Sequence, residues 1–220
     1  MTPRIVIVSA PSGGGKTVVT KELLKRYPKV FGYSVSATTR RPRPGEKDGE
    51  AYHFLLRAEF ERRRRSGAFL ESAEYAGELY GTLQAEVEKV LARGLNVLLD
   101  IEVQGAQQVR TTYPNTIAIF LLPPSAAVLL DRLRGRQTES PEAMTRRVEI
   151  AVGELQAAVG YDHIVVNEDL GRTVDAVLTA VEHPERALHR TGEMLDHLKT
   201  LMLGLQAEAQ KLHDELKEPR

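Results

Sequence analysis

The sequence predicts an α/β fold in which a mostly parallel sheet is flanked by helices and interrupted by two insertions. Three observations lead there. Short apolar runs alternate with amphipathic segments along the 220 residues, which is the rhythm of βα units. The runs are too short for core helices and read as buried strands. The first run passes at once into a glycine-rich turn that opens a helix.

RIVIV (4–8) is the first buried strand, and 17–26 has the helical pattern. GLNVLLDIE (94–102), NTIAIFLL (115–122) and DHIVVN (162–167) are three more strands. The first insertion, 35–82, holds the β-like pieces SVSATT, AYHFL and AFLESAEY around a charged helix at 58–66. Its run Arg62 to Arg65 reads as an exposed helix face with a minor share in steering anionic ligands. The second insertion, 125–158, is helical and arginine-rich, entered through Pro123-Pro124. A long helix is expected over 185–217, where Leu195, Leu198, Leu201, Met202, Leu205, Ala209, Leu212 and Leu216 form one apolar stripe. That stripe fits docking on its own domain or pairing of two chains, so monomer and homodimer are both open.

Lys+Arg and Asp+Glu both number 30, so the formal net charge is zero. Neutrality argues against nucleic acid as partner, because that affinity comes largely from neutralising many phosphates at once. Residues 1–65 nevertheless hold 15 Lys/Arg against 6 Asp/Glu, an excess of 15 − 6 = 9 that suits a small anion. Cysteine is absent, which excludes disulfides, thiolate metal sites and a cysteine nucleophile. The six histidines show no zinc-ligand spacing. No run approaches the ~18–20 apolar residues of a membrane span, so a cytoplasmic protein without membrane partner is expected.

SAPSGGGKT follows the first strand and opens a helix. Ala10, Pro11, Ser12, Gly13, Gly14, Gly15, Lys16 and Thr17 match the phosphate-loop pattern G-x-x-x-x-G-K-[ST] except at the first glycine. The glycines allow a turn whose N–H groups point at phosphate oxygens, and the helix adds its positive end. Lys16 is expected on the β- and γ-phosphates of ATP, and the Thr17 hydroxyl on Mg²⁺. Asp100 closes the strand NVLLD, where a carboxylate holds Mg²⁺ through water. Glu102 lies two residues on, on the same side if the strand continues; either acid could instead cap the helix from about 104.

The stretch ATTRRPRPGEKDGEAYHFL (37–55) resembles the guanylate kinase family signature, matching its fixed positions with Thr38, Thr39, Arg40, Arg43, Glu46, Gly49, Tyr52, Phe54 and Leu55. FLE (69–71), YGT (80–82), LLDIEVQGAQQ (98–108) and RLRGR (132–136) resemble further landmarks of that family, and Leu79 stands where many members have a second tyrosine. The resemblance covers roughly residues 4–170 and says nothing of the C-terminal helix. It implies a P-loop NTPase core (1–34, 83–124 and 159–184), an inserted GMP-binding subdomain (35–82) and a helical lid (125–158), to which the apolar stripe adds a C-terminal helix (185–220).

The resemblance also implies roles. Arg40 and Arg43 fork onto the GMP phosphate, as planar guanidinium groups do. Tyr52 and Tyr80 donate to the same phosphate. Glu71 accepts from guanine N1–H and the 2-amino group, Ser36 and Thr82 recognise the O6 edge, and Asp100 completes the GMP-binding set. Two charge-assisted bonds of roughly 1.5–3 kcal/mol each give about 10²–10⁴-fold discrimination against adenine. Arg134, Arg136 and Arg147 of the lid cover ATP and neutralise the group in transit. Arg136 can also stack on adenine against Asn167.

The implied activity is transfer of the γ-phosphoryl of Mg²⁺-bound ATP to GMP, and to dGMP with it, within purine nucleotide metabolism. No covalent intermediate is needed, and closure of both insertions keeps water out. Two rivals are a related kinase acting on another phosphorylated acceptor and a non-catalytic phosphopeptide-binding module. Ser36, Glu71 and Thr82 count against the first; Gly15-Lys16-Thr17 and Arg134/Arg136 count against the second.

Overall fold

The computed structural model describes residues 2–75, 77–135, 141–186 and 192–217. The chain runs β1 (Ile5–Ser9), α1 (Lys16–Arg26), β2 (Phe31–Tyr33), β3 (Ala37–Thr38), β4 (His53–Phe54) and α2 (Arg57–Arg65). It continues through β5 (Phe69–Tyr75), β6 (Glu78–Leu83), α3 (Gln84–Ala92), β7 (Asn96–Asp100), α4 (Val103–Thr112) and β8 (Ile117–Leu122). The remaining elements are α5 (Ala126–Arg134), α6 (Pro141–Ala157), β9 (His163–Val166), α7 (Leu170–Glu182) and α8 (Gly192–Lys217).

The larger sheet has five strands in the order β2-β7-β1-β8-β9, and the pairs β2–β7 and β8–β9 run parallel. Every residue of β1 and of β8 is buried, as expected for strands covered on both faces. The smaller sheet has the order β4-β3-β6-β5, with β3–β4 parallel and the other pairs antiparallel. The chain divides into two compact units, residues 1–7 with 23–117, and residues 8–22 with 118–220. Among the described residues no helix is long and apolar enough to cross a membrane.

Several boundaries differ from expectation. SVSATT and AYHFL contribute only two strand residues each, whereas Phe31–Tyr33 and Glu78–Leu83 are strands that the sequence did not announce. Phe31–Tyr33 and Glu78–Leu83 mix glycine with large residues, so neither periodicity nor length marks them. The last helix does not run from 185. Pro184–Arg186 form a 3₁₀ turn, consistent with a proline that cannot continue α7, and α8 begins at Gly192, with 187–191 outside the described residues.

The apolar stripe of α8 docks in cis. Leu198, Leu201, Leu205 and Ala209 are buried, and the helix packs along α6 and α5. At Gly204 an added Cβ would sit 2.8 Å from Ala126 Cβ, so the backbones of α8 and α5 approach closely. An Arg134–Glu208 ion pair, a His213–Glu149 contact of 2.8 Å and a His197–Pro123 carbonyl contact of 3.0 Å rim this interface.

In the smaller sheet's subdomain, Ala37, Phe60, Leu79 and Leu83 form a core, with Phe69 stacked on Phe60 at 4.3 Å between centroids. Leu79, the departure from the family's tyrosine, is thus a core residue. Arg62, Arg63 and Arg64 lie on the exposed side of α2, paired with Glu59 and Glu61 as i,i+3 and i,i+4 neighbours. Arg63 and Arg62, bonded to the Glu59 carboxyl, hold it below its ordinary pKa.

Candidate functional site

In the unit that carries residues 8–22, the phosphate loop is held in shape from inside. The Gly14 N–H donates to Pro11 O at 2.7 Å, and Val18 and Val19 N–H both reach back to Gly15 O. Gly13 and Gly15 have φ of +81° and +90°, conformations open to glycine at no steric cost. At Gly15 a side chain would also strike Asn167 Nδ2 at 2.5 Å. Lys16 begins α1 and is half-buried, while Thr17 beside it is exposed. Ala10 is buried, and an added Cβ on Gly14 would lie 2.8 Å from Ala10 Cβ.

Three further elements brace this loop. Asn167, after β9, donates to Gly14 O at 2.8 Å and accepts from Thr173 Oγ1 at 3.2 Å. From α6, Arg147 reaches Ser12 Oγ at 3.4 Å and Leu133 O at 3.3 Å, and Glu154 accepts the Ser12 N–H at 2.9 Å. Arg132 Nη1 lies 3.5 Å from Gly13 O. Glu154 and Arg132 were missed in the sequence, because which face of α5 or α6 meets the loop depends on packing. Arg134, at the end of α5, pairs with Glu208. Arg136 lies outside the described residues.

In the other unit, Arg40, Tyr52 and Tyr80 converge. The Arg40 guanidinium carbon lies 5.4 Å from the Tyr52 ring centre, within cation–π range, and Tyr52 meets Tyr80 edge-on at 6.1 Å. Glu46 organises this corner, a role the signature did not reveal. Its two oxygens take Arg40 Nη1 at 2.9 Å and Nη2 at 3.0 Å, and Oε2 also accepts the Arg43 N–H at 2.7 Å. The bonds from Arg40 and from the Arg43 N–H lower the Glu46 pKa from 4.5 to about 2. Arg40 is raised in turn, chiefly by its bonds to Glu46. The Arg43 side chain is exposed.

Side chains two apart on a strand share a face. Tyr80 and Thr82 therefore lie on one face of β6, and the core residues Leu79 and Leu83 belong to the other. Glu71 stands opposite Thr82 and is 6 % exposed, its Oε1 accepting the Thr82 hydroxyl at 2.7 Å. Phe69, only two residues before Glu71, pairs with Leu83 on the core face. The register shift between Phe69 and Glu71 reconciles the two: the bulge turns Glu71 to the opposite face. Gly81 makes room, since an added Cβ would lie 2.8 Å from the Phe69 ring. Ser36, just before β3, is half-buried, and its carbonyl accepts the His53 N–H at 2.8 Å.

Asp100 ends β7 and is half-buried. The strand stops there, so Glu102 does not continue the alternation. Glu102 occupies the N-cap position of α4, yet its side chain makes no capping bond.

The guanylate kinase family model matches residues 2–184. A guanylate kinase of Nostoc sp. is 45 % identical over 181 residues, covering 82 % of this chain and 90 % of the relative. One from Thermus thermophilus is 44 % identical over 212 residues, covering 96 % of each chain, so that match extends into α8. The crystal structure of guanylate kinase from Anaplasma phagocytophilum superposes with a TM-score of 0.67 at 32 % identity, over 83 % of this chain and 86 % of that one. By sequence and by fold, the chain belongs to the guanylate kinase family.

Proposed function

We propose that the chain transfers the γ-phosphoryl group of ATP to GMP, and to dGMP, giving ADP and the diphosphate. An oxygen of the acceptor's phosphate attacks the γ-phosphorus as the bond to the ADP oxygen breaks, with no covalent enzyme intermediate. The observation that carries this reading is Glu71, a buried carboxylate oriented by Thr82 on the same strand face as Tyr80. Guanine offers N1–H and a 2-amino group to such a carboxylate, whereas adenine would leave it facing an acceptor and no amine.

Arg40, Arg43, Tyr52 and Tyr80 bind the acceptor's phosphate, and Ser36 takes part at the base's O6 edge. The loop from Ala10 to Thr17 holds the ATP phosphates, with Lys16 on the β- and γ-groups. Arg147, held against Ser12, and the lid arginines Arg134 and Arg136 balance the charge of the group in transit, while Asn167 supports the loop. Among the described residues no group of three or more His, Cys, Asp or Glu could hold a metal. The donors fit Mg²⁺ brought in by the nucleotide's own oxygens, with the Thr17 hydroxyl and, through water, Asp100 as the chain's contributions. When bound, the ion neutralises charge on the β- and γ-phosphates.

An ADP-release assay with GMP, dGMP, AMP, CMP and UMP in turn tests the acceptor. Turnover is expected with GMP and dGMP. Glu71→Gln is expected to lower kcat/KM for GMP about 10²-fold, in line with one or two lost charge-assisted bonds, and to leave KM for ATP within about twofold. An unchanged kcat/KM for GMP would remove Glu71 from the site.

A further inference from the structure

Gly105 is the third residue of α4, within the QGAQQ stretch that neither the phosphate loop nor the acceptor corner uses. A Cβ at this position would lie 2.6 Å from Glu71 Oε2, 3.1 Å from its Cδ and 3.5 Å from its Cγ. Gly105 does not have a positive φ, so its backbone does not call for glycine. What a side chain would meet is the Glu71 carboxylate, which rests against the first turn of α4 and would have to shift.

Glu71 cannot give way by moving its strand. One turn further along α4, Gln108 clips the backbone of the next residue in both directions: Ser72 N–H donates to Gln108 Oε1 at 3.1 Å, and Gln108 Nε2 donates to Ser72 O at 3.1 Å. β5 is the edge strand of its sheet, and this amide takes the place of a further strand at Ser72. With the backbone pinned, a methyl group at 105 would be accommodated by a shift of the carboxylate end, whose Oε1 holds the Thr82 hydroxyl at 2.7 Å.

We infer that Gly105 is a specificity-determining positioning residue: its missing side chain is the space in which the Glu71 carboxylate is held for guanine. This rests on Glu71 being the guanine acceptor proposed above. It has an unusual signature. Alanine is the better helix former, and at this φ that gain offsets the disturbed Glu71–Thr82 contact, so Gly105→Ala should stay folded with a stability near that of wild type while damaging one substrate's use.

The experiment compares wild type, Gly105→Ala and Glu71→Gln by steady-state kinetics with GMP and AMP, KM for ATP, and thermal melting. The expected result for Gly105→Ala is a 10- to 100-fold fall in kcat/KM for GMP and a narrowed GMP-over-AMP preference. KM for ATP should stay within about twofold, and the melting temperature should stay within a few degrees of wild type. GMP use within about twofold of wild type overturns the inference, and so does a lowered melting temperature with equal losses toward GMP and ATP. If Glu71→Gln is damaged and Gly105→Ala is not, the positioning inference alone fails. If Glu71→Gln is itself unaffected, the guanine assignment fails and this inference with it.

Discussion

Arg40 and Glu46 form a two-armed ion pair, both guanidinium nitrogens meeting both carboxylate oxygens at 2.9 and 3.0 Å. The same carboxylate takes the Arg43 N–H, so one acid fixes the side chain of the first arginine and the backbone of the second. With Arg40 also donating to Arg41 O at 2.8 Å, the guanidinium is already oriented for the acceptor phosphate proposed above. This makes Glu46 an ordering residue in a basic loop, not a counter-charge of convenience.

Glu46→Gln is therefore expected to raise KM for GMP about tenfold through lost preorganisation of Arg40, with KM for ATP within about twofold. The pH dependence has a definite sign. The folded Glu46 value, about 2, lies below the ordinary 4.5. Its contribution to stability is thus complete above pH 4.5 and is lost as pH falls through 2. Acid unfolding of wild type and Glu46→Gln should differ by a constant amount above about pH 5 and converge toward pH 2. Curves offset equally at all pH would contradict the pairing.

Asn167 is 7 % exposed and spans Gly14 O and the Thr173 hydroxyl. Asn167→Ala leaves buried polar partners behind, a cost of about 1–3 kcal/mol in stability. KM for ATP should rise severalfold while KM for GMP stays within about twofold. Titration of an ATP analogue by calorimetry reads this directly; unchanged affinity would mean that the loop keeps its shape without the brace.

The α8 stripe supplies its own control. Leu205 is fully buried in the helix's contact, whereas Leu203, two residues away, is 67 % exposed. Leu205→Ala is expected to cost about 2–5 kcal/mol, the range for truncating a buried leucine. Leu203→Ala should fall within about 0.5 kcal/mol of wild type. Melting combined with light scattering checks both. A Leu205→Ala protein with unchanged melting but altered mass would point to pairing between chains instead.

The strands β1, β7, β8 and β9, the phosphate loop and the paired arginines of 37–55 were legible because each is local. A buried strand is a run of apolar residues, and a phosphate cradle needs its glycines, lysine and threonine in one turn. The family signature likewise names residues close together in the chain. Glu46 was visible as a fixed position but not as a function, since a loop's hydrogen bonds are not written in spacing.

What the sequence by itself determined was thus the α/β class, the phosphate-loop pattern and the family to which the chain belongs. Tertiary structure decided which way its side chains point. Period-two alternation would place Phe69 and Glu71 on one face of β5; the bulge between them sends one to the core and the other to the Thr82 side. The partners that hold Glu71, Asn167 and α8 come from distant segments: Gly105 and Gln108, the Gly14 carbonyl, and α5 with α6. The physical reason is that a side chain's face depends on register and on what packs against it, and both are settled between segments far apart in the chain.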